Sequence, residues 1–219
     1  MALEIEDLMT RYARVYTGAV SDVLDQLNER HQVLPSSLRG LTPDAKVVGR
    51  ALPVVGGPTS TTDADTIFVP ILTMLGDVKS YDVVIIQARD TGCAHLGELS
   101  ATAIKARGGA GAVVYGGVRD VDYIRRLGLD VFCLYTTPSD VVGRWQLLAY
   151  NEPIDIEGVT ICPHDIVLGD ADGVVVIPEA LAEEVLIRAE AIVYTENHVR
   201  EAVKKGVHPL QAYRQYGWF

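Results

Sequence analysis

The run Val83-Val84-Ile85-Ile86 limits the fold more than any other stretch of this chain. Four β-branched residues in succession favour a strand, and a strand with no polar residue at alternate positions must be covered on both faces. Further apolar runs at residues 112–115 and 131–135 read as strands of the same kind. Between these strands lie segments with helical spacing, residues 66–76, 97–107 and from near Asp120 to 127. Pro70 falls in the first turn of one of them or kinks it, and Gly108-Gly109 stops the next. Strands that alternate with helices predict a mixed sheet layer or two, covered by helices.

The flanking regions fit that plan. Residues 5–29 read as helix broken near Gly18, with Ser21 placed to cap a new helix and Asp22 in its first turn. Residues 46–55 read as a strand ended by Gly56-Gly57-Pro58, and Gly116-Gly117 is expected to break the strand before it in the same way. Two alternating segments, 154–161 and 166–168, precede an Asp172-Gly173 hairpin signal and the strand 174–177. Pro178 suits the first position of a long final helix running to about residue 205. No repeat or long linker divides the 219 residues, so one α/β domain over 1–219 is expected, with a C-terminal helical extension from about 179.

Composition narrows the function classes. With 48% hydrophobic and 22% charged residues the chain has the balance of a globular protein. A formal net charge of -10 and scattered Lys and Arg argue against nucleic acid and anionic membranes as partners. A local arginine can still reverse the potential in one cleft, so an anionic substrate stays open. Cys93, Cys133 and Cys162 are odd in number and form no C-x-x-C pair, which suggests a reducing compartment. Glu4, Glu6 and Asp7 near the start are unlike a signal peptide, and no apolar run nears the roughly 18 residues that span a bilayer. The expectation is a soluble, cytoplasmic protein.

The chemistry is concentrated in residues 92–122. Glu98 opens a predicted helix, and Arg119 and Asp120 lie just past a predicted strand end, where open α/β sheets gather ligands. Were the two strands neighbours, all three side chains could line one cleft. Arginine offers a planar fork for a carboxylate or a developing enolate oxygen, and carboxylates supply the hard oxygens that Mg²⁺ or Mn²⁺ prefers. The same residues also admit structural roles. Asp120 could cap the following helix, Arg119 could pair with Asp122 on the surface, and Glu98 suits a first helical turn on dipole grounds alone. His95 could line the cleft, whereas Cys93 has no evident base to activate it and reads as a small core or loop residue. Trp145 and Trp218 read as packing residues, with Trp218 placed to dock the C-terminus.

The stretches G-E-L-S-A-T-A-I-K-A-R-G (97–108), V-V-Y-G-G-V-R-D-V-D (113–122), S-D-V-L-D (21–25) and D-I-V-L-G-D-A-D-G-V-V-V-I-P (165–178) resemble the RraA-like family. That family includes the 4-hydroxy-4-methyl-2-oxoglutarate/4-carboxy-4-hydroxy-2-oxoadipate aldolases, class II pyruvate aldolases. The resemblance implies an α-β-β-α sandwich similar to swivelling phosphohistidine domains, assembled as trimers or hexamers with the site at a subunit interface. It implies Asp120 as the direct ligand of Mg²⁺ or Mn²⁺, Glu98 holding a metal water, and Arg119 binding the 2-oxo oxygen and stabilising an enolate. Backbone N–H groups around Gly97, Glu98, Leu99 and Ser100 would bind the substrate carboxylate. Glu196 resembles the acid contributed from a neighbouring subunit through a metal water, with Glu183, Glu184, Glu190 and Glu201 as alternatives nearby.

The resemblance therefore implies a metal-dependent lyase cleaving a 4-hydroxy-2-oxo acid to pyruvate, with oxaloacetate decarboxylation as a side activity. The same family contains non-catalytic inhibitors of ribonuclease E, which do not keep the Asp after the Arg. Tyr115, where many of the aldolases carry Asp, also occurs in the inhibitors and bears on substrate range. An RraA-like enzyme acting on another hydroxy acid is a third alternative.

Overall fold

A computed structural model describes residues 3–219, so the first two residues of the domain expected over 1–219 lie outside it. Helices α1 (Ile5–Tyr12) and α2 (Thr17–Gln26) lead into a short strand β1 (Arg39–Gly40), the long strand β2 (Val47–Pro58) and helix α3 (Ala64–Asp77). Then come β3 (Asp82–Gln87), β4 (Ala94–Leu96), α4 (Glu98–Ala106), β5 (Gly111–Val118), α5 (Val121–Leu127) and β6 (Val131–Thr136). The last third holds β7 (Trp145–Tyr150), the hairpin β8 (Ile154–Ile156) and β9 (Val159–Ile161), and the hairpin β10 (Ile166–Gly169) and β11 (Val174–Ile177). A 3-10 turn (Glu179–Leu181) precedes α6 (Ala182–Lys204) and α7 (Pro209–Tyr216).

One sheet of nine strands runs β1-β6-β5-β3-β2-β10-β11, with β4 joined to β5 and β7 joined to β2. The pairs β2–β3, β3–β5, β4–β5 and β5–β6 are parallel, and the strands at both margins join antiparallel. The sheet curls into a half-barrel, and strand periodicity sorts its side chains between inside and outside. Val83, Ile85, Val113, Phe132, Val167, Val174 and Val176 meet in the enclosed core. Their neighbours Val84, Ile86, Val114 and Val131 face outward to a core with α3, α4 and α5. Ile166, Leu168, Val175 and Ile177 face outward to α1, α2 and α6. A section therefore passes helix, sheet, sheet, helix, and the α-β-β-α sandwich arises from one sheet folded over itself. The double burial expected of the run at 83–86 has this physical basis.

Several boundaries differ from the sequence reading. The first helical region breaks over residues 13–16, so Gly18 and Ser21 lie within α2 and Ser21 caps nothing. Pro178 precedes the 3-10 turn, not α6 itself. The glycine pairs predicted to stop β2 and β5 lie inside those strands. Each marks a close approach. A Cβ on Gly56 would sit 2.0 Å from the Trp145 ring, and one on Gly116 would sit 2.5 Å from Nδ1 of His95. β4 and β7 were not anticipated; these short strands extend the sheet at those same glycines.

Trp145 is buried as expected, and its Nε1 donates to the Ala88 carbonyl at 2.8 Å. Trp218 docks near Glu196, its Nε1 donating at 3.3 Å. Arg11 holds α1 to α6 through a two-pronged pair with Glu190, at 2.9 and 2.7 Å. Among the described residues no helix is long and apolar enough to cross a membrane.

Gly56→Ala should destabilise the protein by about 1–3 kcal/mol, the usual range for overpacking, because the Trp145 ring cannot retreat from a filled core. Urea unfolding followed by tryptophan fluorescence would measure the loss, and an unchanged midpoint would refute the close-approach account.

Candidate active site at the ends of β4 and β5

Parallel pairing sets Ala94 opposite Gly117 and Leu96 opposite Val118, so β4 and β5 end side by side. The Arg119 N–H donates to the Leu96 carbonyl at 3.0 Å. The next residues on each strand are then brought together: Gly97 and Glu98 from β4, Arg119 and Asp120 from β5. Gly97 is the N-cap of α4 and carries no side chain to cap it. Asp120 supplies that function from across the cleft, its Oδ2 accepting the Glu98 N–H at 3.1 Å. A Cβ on Gly97 would lie 2.8 Å from that oxygen and 3.1 Å from Arg119 Nε, so the contact requires glycine.

Asp120 reaches this position at a cost. Its φ of 58° is left-handed, a conformation worth roughly 1–3 kcal/mol of strain in a non-glycine residue, with Asp among the more tolerant. It makes no side-chain cap to its own helix α5, so the capping role weighed from sequence is not the one found. Arg119 does not pair with Asp122 either; Asp122 lies 3.8 Å from Arg125. Instead Arg119 Nη1 meets Asp140 at 2.9 Å, and its Nε stands 3.5 Å from Asp120 Oδ2. Glu98 accepts from the Thr102 hydroxyl at 2.9 Å, one turn along α4.

Gly97, Glu98, Leu99, Ser100, Arg119 and Asp120 line one cleft of about 290 Å³, with Tyr123 at its edge. These are the residues singled out from sequence, apart from Glu196. The Leu99 and Ser100 N–H groups fall in the first turn of α4, where backbone donors lack intrahelical acceptors. The cleft thus combines hard carboxylate oxygens, a guanidinium and the positive end of a helix, a set suited to an anionic ligand with a divalent cation. Glu196 is not part of the lining. It accepts from the Tyr16 hydroxyl and Trp218, and lies 3.7 Å from Arg200, on the α2–α6 side. Tyr115 also points elsewhere, its hydroxyl bonded to Glu157 at 2.9 Å in the β8–β9 turn. Sequence reasoning missed Asp140, which lies in the loop after β6, and its one sequence signal was a polar turn, Thr137-Pro138-Ser139, after a strand end.

His95 does not line the cleft; it is buried behind it, on β4. Asp90, Cys93 and His95 bring one ligand-type atom each within 4.8 Å of one another. The Gly117 N–H donates to Nδ1 of His95 at 3.0 Å, which puts the proton of the neutral ring on Nε2. That proton faces Asp90 at 3.3 Å and Cys93 at 3.6 Å. A nitrogen already carrying a proton is a poor cation ligand, so the trio reads as a hydrogen-bonded scaffold. Burial lowers the His95 pKa, against the pull of the Asp90 charge. Burial, then the Asp90 carboxylate, pushes the Cys93 thiol up to about 12, leaving it unreactive. Burial alone would raise Asp90, but hydrogen bonds from Gly92, Cys93 and His95 outweigh it and hold the carboxyl below its ordinary range.

The curled α/β half-barrel is shared with other solved proteins. A family model described as Aldolase/RraA matches residues 17–176, and the chain belongs to that RraA-like family. It is similar, at 32% identity over 212 residues, to a Halalkalibacterium halodurans protein named "Putative 4-hydroxy-4-methyl-2-oxoglutarate aldolase"; the match covers 94% of this chain and 93% of that one. The fold is similar to that of an uncharacterized protein from Pseudomonas syringae, with a TM-score of 0.86, 28% identity and 99% of each chain covered. It is also similar to Streptomyces coelicolor RraAS2, described as an unusual member of the RNase ES inhibitor RraA family, with a TM-score of 0.80 and 29% identity over 91% of this chain and 98% of that one.

Two outcomes follow from the geometry. Asp120→Gly removes the carboxylate and relieves the backbone, so any turnover should fall by about 10²–10³ while the melting temperature stays within roughly 4 °C of wild type. A collapse in stability would show that Asp120 is structural. For His95, the folded pKa lies below the ordinary 6.5. Its stabilising contribution is therefore complete above 6.5 and lost as pH falls from there through the lower folded pKa. Melting between about pH 7.5 and about pH 5.5 should fall more steeply for wild type than for His95→Asn, which cannot titrate. Equal slopes would contradict a buried neutral imidazole.

Proposed function

We propose that this protein is a divalent-metal-dependent lyase that cleaves a 4-hydroxy-2-oxo acid of the 4-hydroxy-4-methyl-2-oxoglutarate kind to pyruvate and a second 2-oxo acid. The observation that carries the reading is the meeting of Arg119 with Asp120 and Glu98 at the N-terminus of α4. The relative's printed name supports the substrate class.

The donor chemistry fits Mg²⁺ or Mn²⁺. Asp120 would be the direct protein ligand and Glu98 would hold a coordinated water, and both residues lie on the cleft wall. A cation bound there would supply Lewis-acid polarisation of the 2-oxo group, drawing charge from the adjacent carbon–carbon bond. The first-turn N–H groups of α4 hold the substrate carboxylate and so fix which bond faces the guanidinium. Arg119 donates to the oxygen on which the enolate charge develops, a permanently protonated donor placed before the reaction begins. Oxaloacetate loses carbon dioxide through the same pyruvate enolate, and oxaloacetate decarboxylation is therefore a side activity.

Assembly as a trimer or hexamer in the cytoplasm belongs to the same reading. It is supported by apolar groups left exposed at and near the cleft, Leu99 at 80% and Tyr123 at 62%, and by Val69 and Leu72 on α3. In such an assembly Glu196 would be the residue offered to the metal waters of a neighbouring subunit. The likeness to the Streptomyces RraAS2 structure supports a second reading, a non-catalytic regulator that binds a ribonuclease. Asp120, held in its strained pose at the cleft, favours the enzyme.

With Mg²⁺ present, pyruvate release from oxaloacetate and a panel of 4-hydroxy-2-oxo acids should be abolished by a chelator. Asp120→Ala and Arg119→Ala should each lower turnover by about 10²–10³, the usual loss for one preorganised donor. Undiminished rates in both variants would refute the assignment, and absence of turnover on every 2-oxo acid would favour the regulator.

A further inference from the structure

The Arg119 guanidinium is held on two sides by protein carboxylates. Asp140 Oδ1 takes Nη1 at 2.9 Å, and Asp120 Oδ2 stands 3.5 Å from Nε. Among the described residues Nη1 alone donates a hydrogen bond, to Asp140, and Nε faces Asp120 at ion-pair distance, so Nη2 and the second Nη1 hydrogen are left for a ligand. Asp140 itself is placed by the strands that build the cleft. The Thr137 N–H donates to the Val118 carbonyl at 3.0 Å, fastening its loop to the end of β5. The Ala94 N–H donates to the Ser139 carbonyl, also at 3.0 Å, fastening the same loop to β4. Tyr135 adds a hydroxyl bond to the Cys93 carbonyl at 3.1 Å, and Arg144 Nη1 donates to the backbone carbonyl of Asp140 at 3.1 Å. Asp140 and Arg119 are therefore referenced to one pair of strands, and their separation does not depend on a free surface loop.

We infer that Asp140 is a positioning residue for Arg119, setting the plane of the guanidinium so that its unpaired N–H groups are presented to the ligand in the cleft. The inference rests on the role proposed above for Arg119. An ion pair whose side chains are 38% and 40% exposed contributes only about 0–1 kcal/mol to stability, so a stabilising role alone does not account for this fastening. Orientation is where such a contact has leverage, because a small displacement of a reacting group costs far more in rate than in folding. Two rival roles make opposite predictions. A plain surface ion pair would leave function untouched by its loss, and a carboxylate competing with the ligand for Arg119 would raise affinity when removed.

The test uses the full chain with Mg²⁺ and the variants Asp140→Ala, Asp140→Asn, Arg119→Ala and the double variant Asp140→Ala/Arg119→Ala. Oxaloacetate decarboxylation is followed by pyruvate release, and binding of oxalate, a planar dianion shaped like the pyruvate enolate, is followed by calorimetry. Asp140→Ala should lower kcat by about 10-fold to 100-fold with a smaller change in KM, and weaken oxalate binding. Asp140→Asn, which keeps an acceptor for Nη1, should recover part of both. In the Arg119→Ala background, removal of Asp140 should have no further effect on either readout, the signature of one group acting through the other.

Wild-type behaviour of Asp140→Ala, additive losses in the double variant, or tighter oxalate binding would overturn the inference. Absence of chelator-sensitive turnover in wild type would sink the lyase reading alone, provided oxalate still binds and depends on Asp140 through Arg119. Turnover without that coupling would sink the role of Asp140 alone. A wild-type chain that neither turns over nor binds oxalate would refute both.

Discussion

The carboxylate of Asp120 lies against the N–H of Glu98, and the Arg119 N–H lies against the carbonyl of Leu96. Much of what the molecule offers a ligand depends on these two contacts between the ends of neighbouring strands. Residues more than twenty positions apart in the chain become a single wall, and the start of α4 is capped from outside its own sequence. The cost is a left-handed aspartate, of the order of 1–3 kcal/mol, offset in part by a hydrogen bond to a charged acceptor and by the packing of β4 and β5. Strain of this kind persists where the surrounding structure over-determines the residue, and here Asp120 is held by the Glu98 N–H and by close approach to Gly97.

Behind the wall, the trio of half-buried Asp90 with buried Cys93 and His95 ties the interior of β4 to β5 through the Gly117 N–H. Its polar atoms are mutually satisfied, so burial stiffens the strand pair where unsatisfied groups would weaken it. The Trp145 ring meets His95 edge-on, with centroids 5.1 Å apart, so β7 leans on the same scaffold. Glycines at 56, 116 and 117 permit this crowding, each lying where a side chain would collide with an aromatic or imidazole ring. The half-barrel and the cleft are therefore not separate achievements of the chain. The curl that encloses the inner core also brings the strand ends into register.

Much of this was legible in the residues. The β-branched run at 83–86 required cover on both faces, and alternate residues of β3 do enter two different cores. Glu98 and Arg119-Asp120 stood at a helix start and a strand end, and the structure brings them into one cleft with Gly97, Leu99 and Ser100. Other features were misread because local rules were applied where long-range contacts governed. Glycine pairs ordinarily end strands, but Gly56 and Gly116 sit within them because partners distant in sequence, Trp145 and His95, occupy the missing side-chain space. Asp140 had only the polar turn before it as a signal, since its importance lies in meeting Arg119 across a loop. Glu196, singled out on the last helix, sits with Tyr16 and Trp218 away from the cleft of its own chain.

The sequence by itself determined the composition of the site and the class of the fold. Hydrophobic periodicity and residue chemistry are local properties, written into neighbouring positions and readable without coordinates. Tertiary structure alone decided which carboxylate the arginine meets, which helix Asp120 caps, and which nitrogen of His95 carries the proton. Those outcomes depend on the register and curl of nine strands, and register is settled by the summed packing of the whole core rather than by any segment within it.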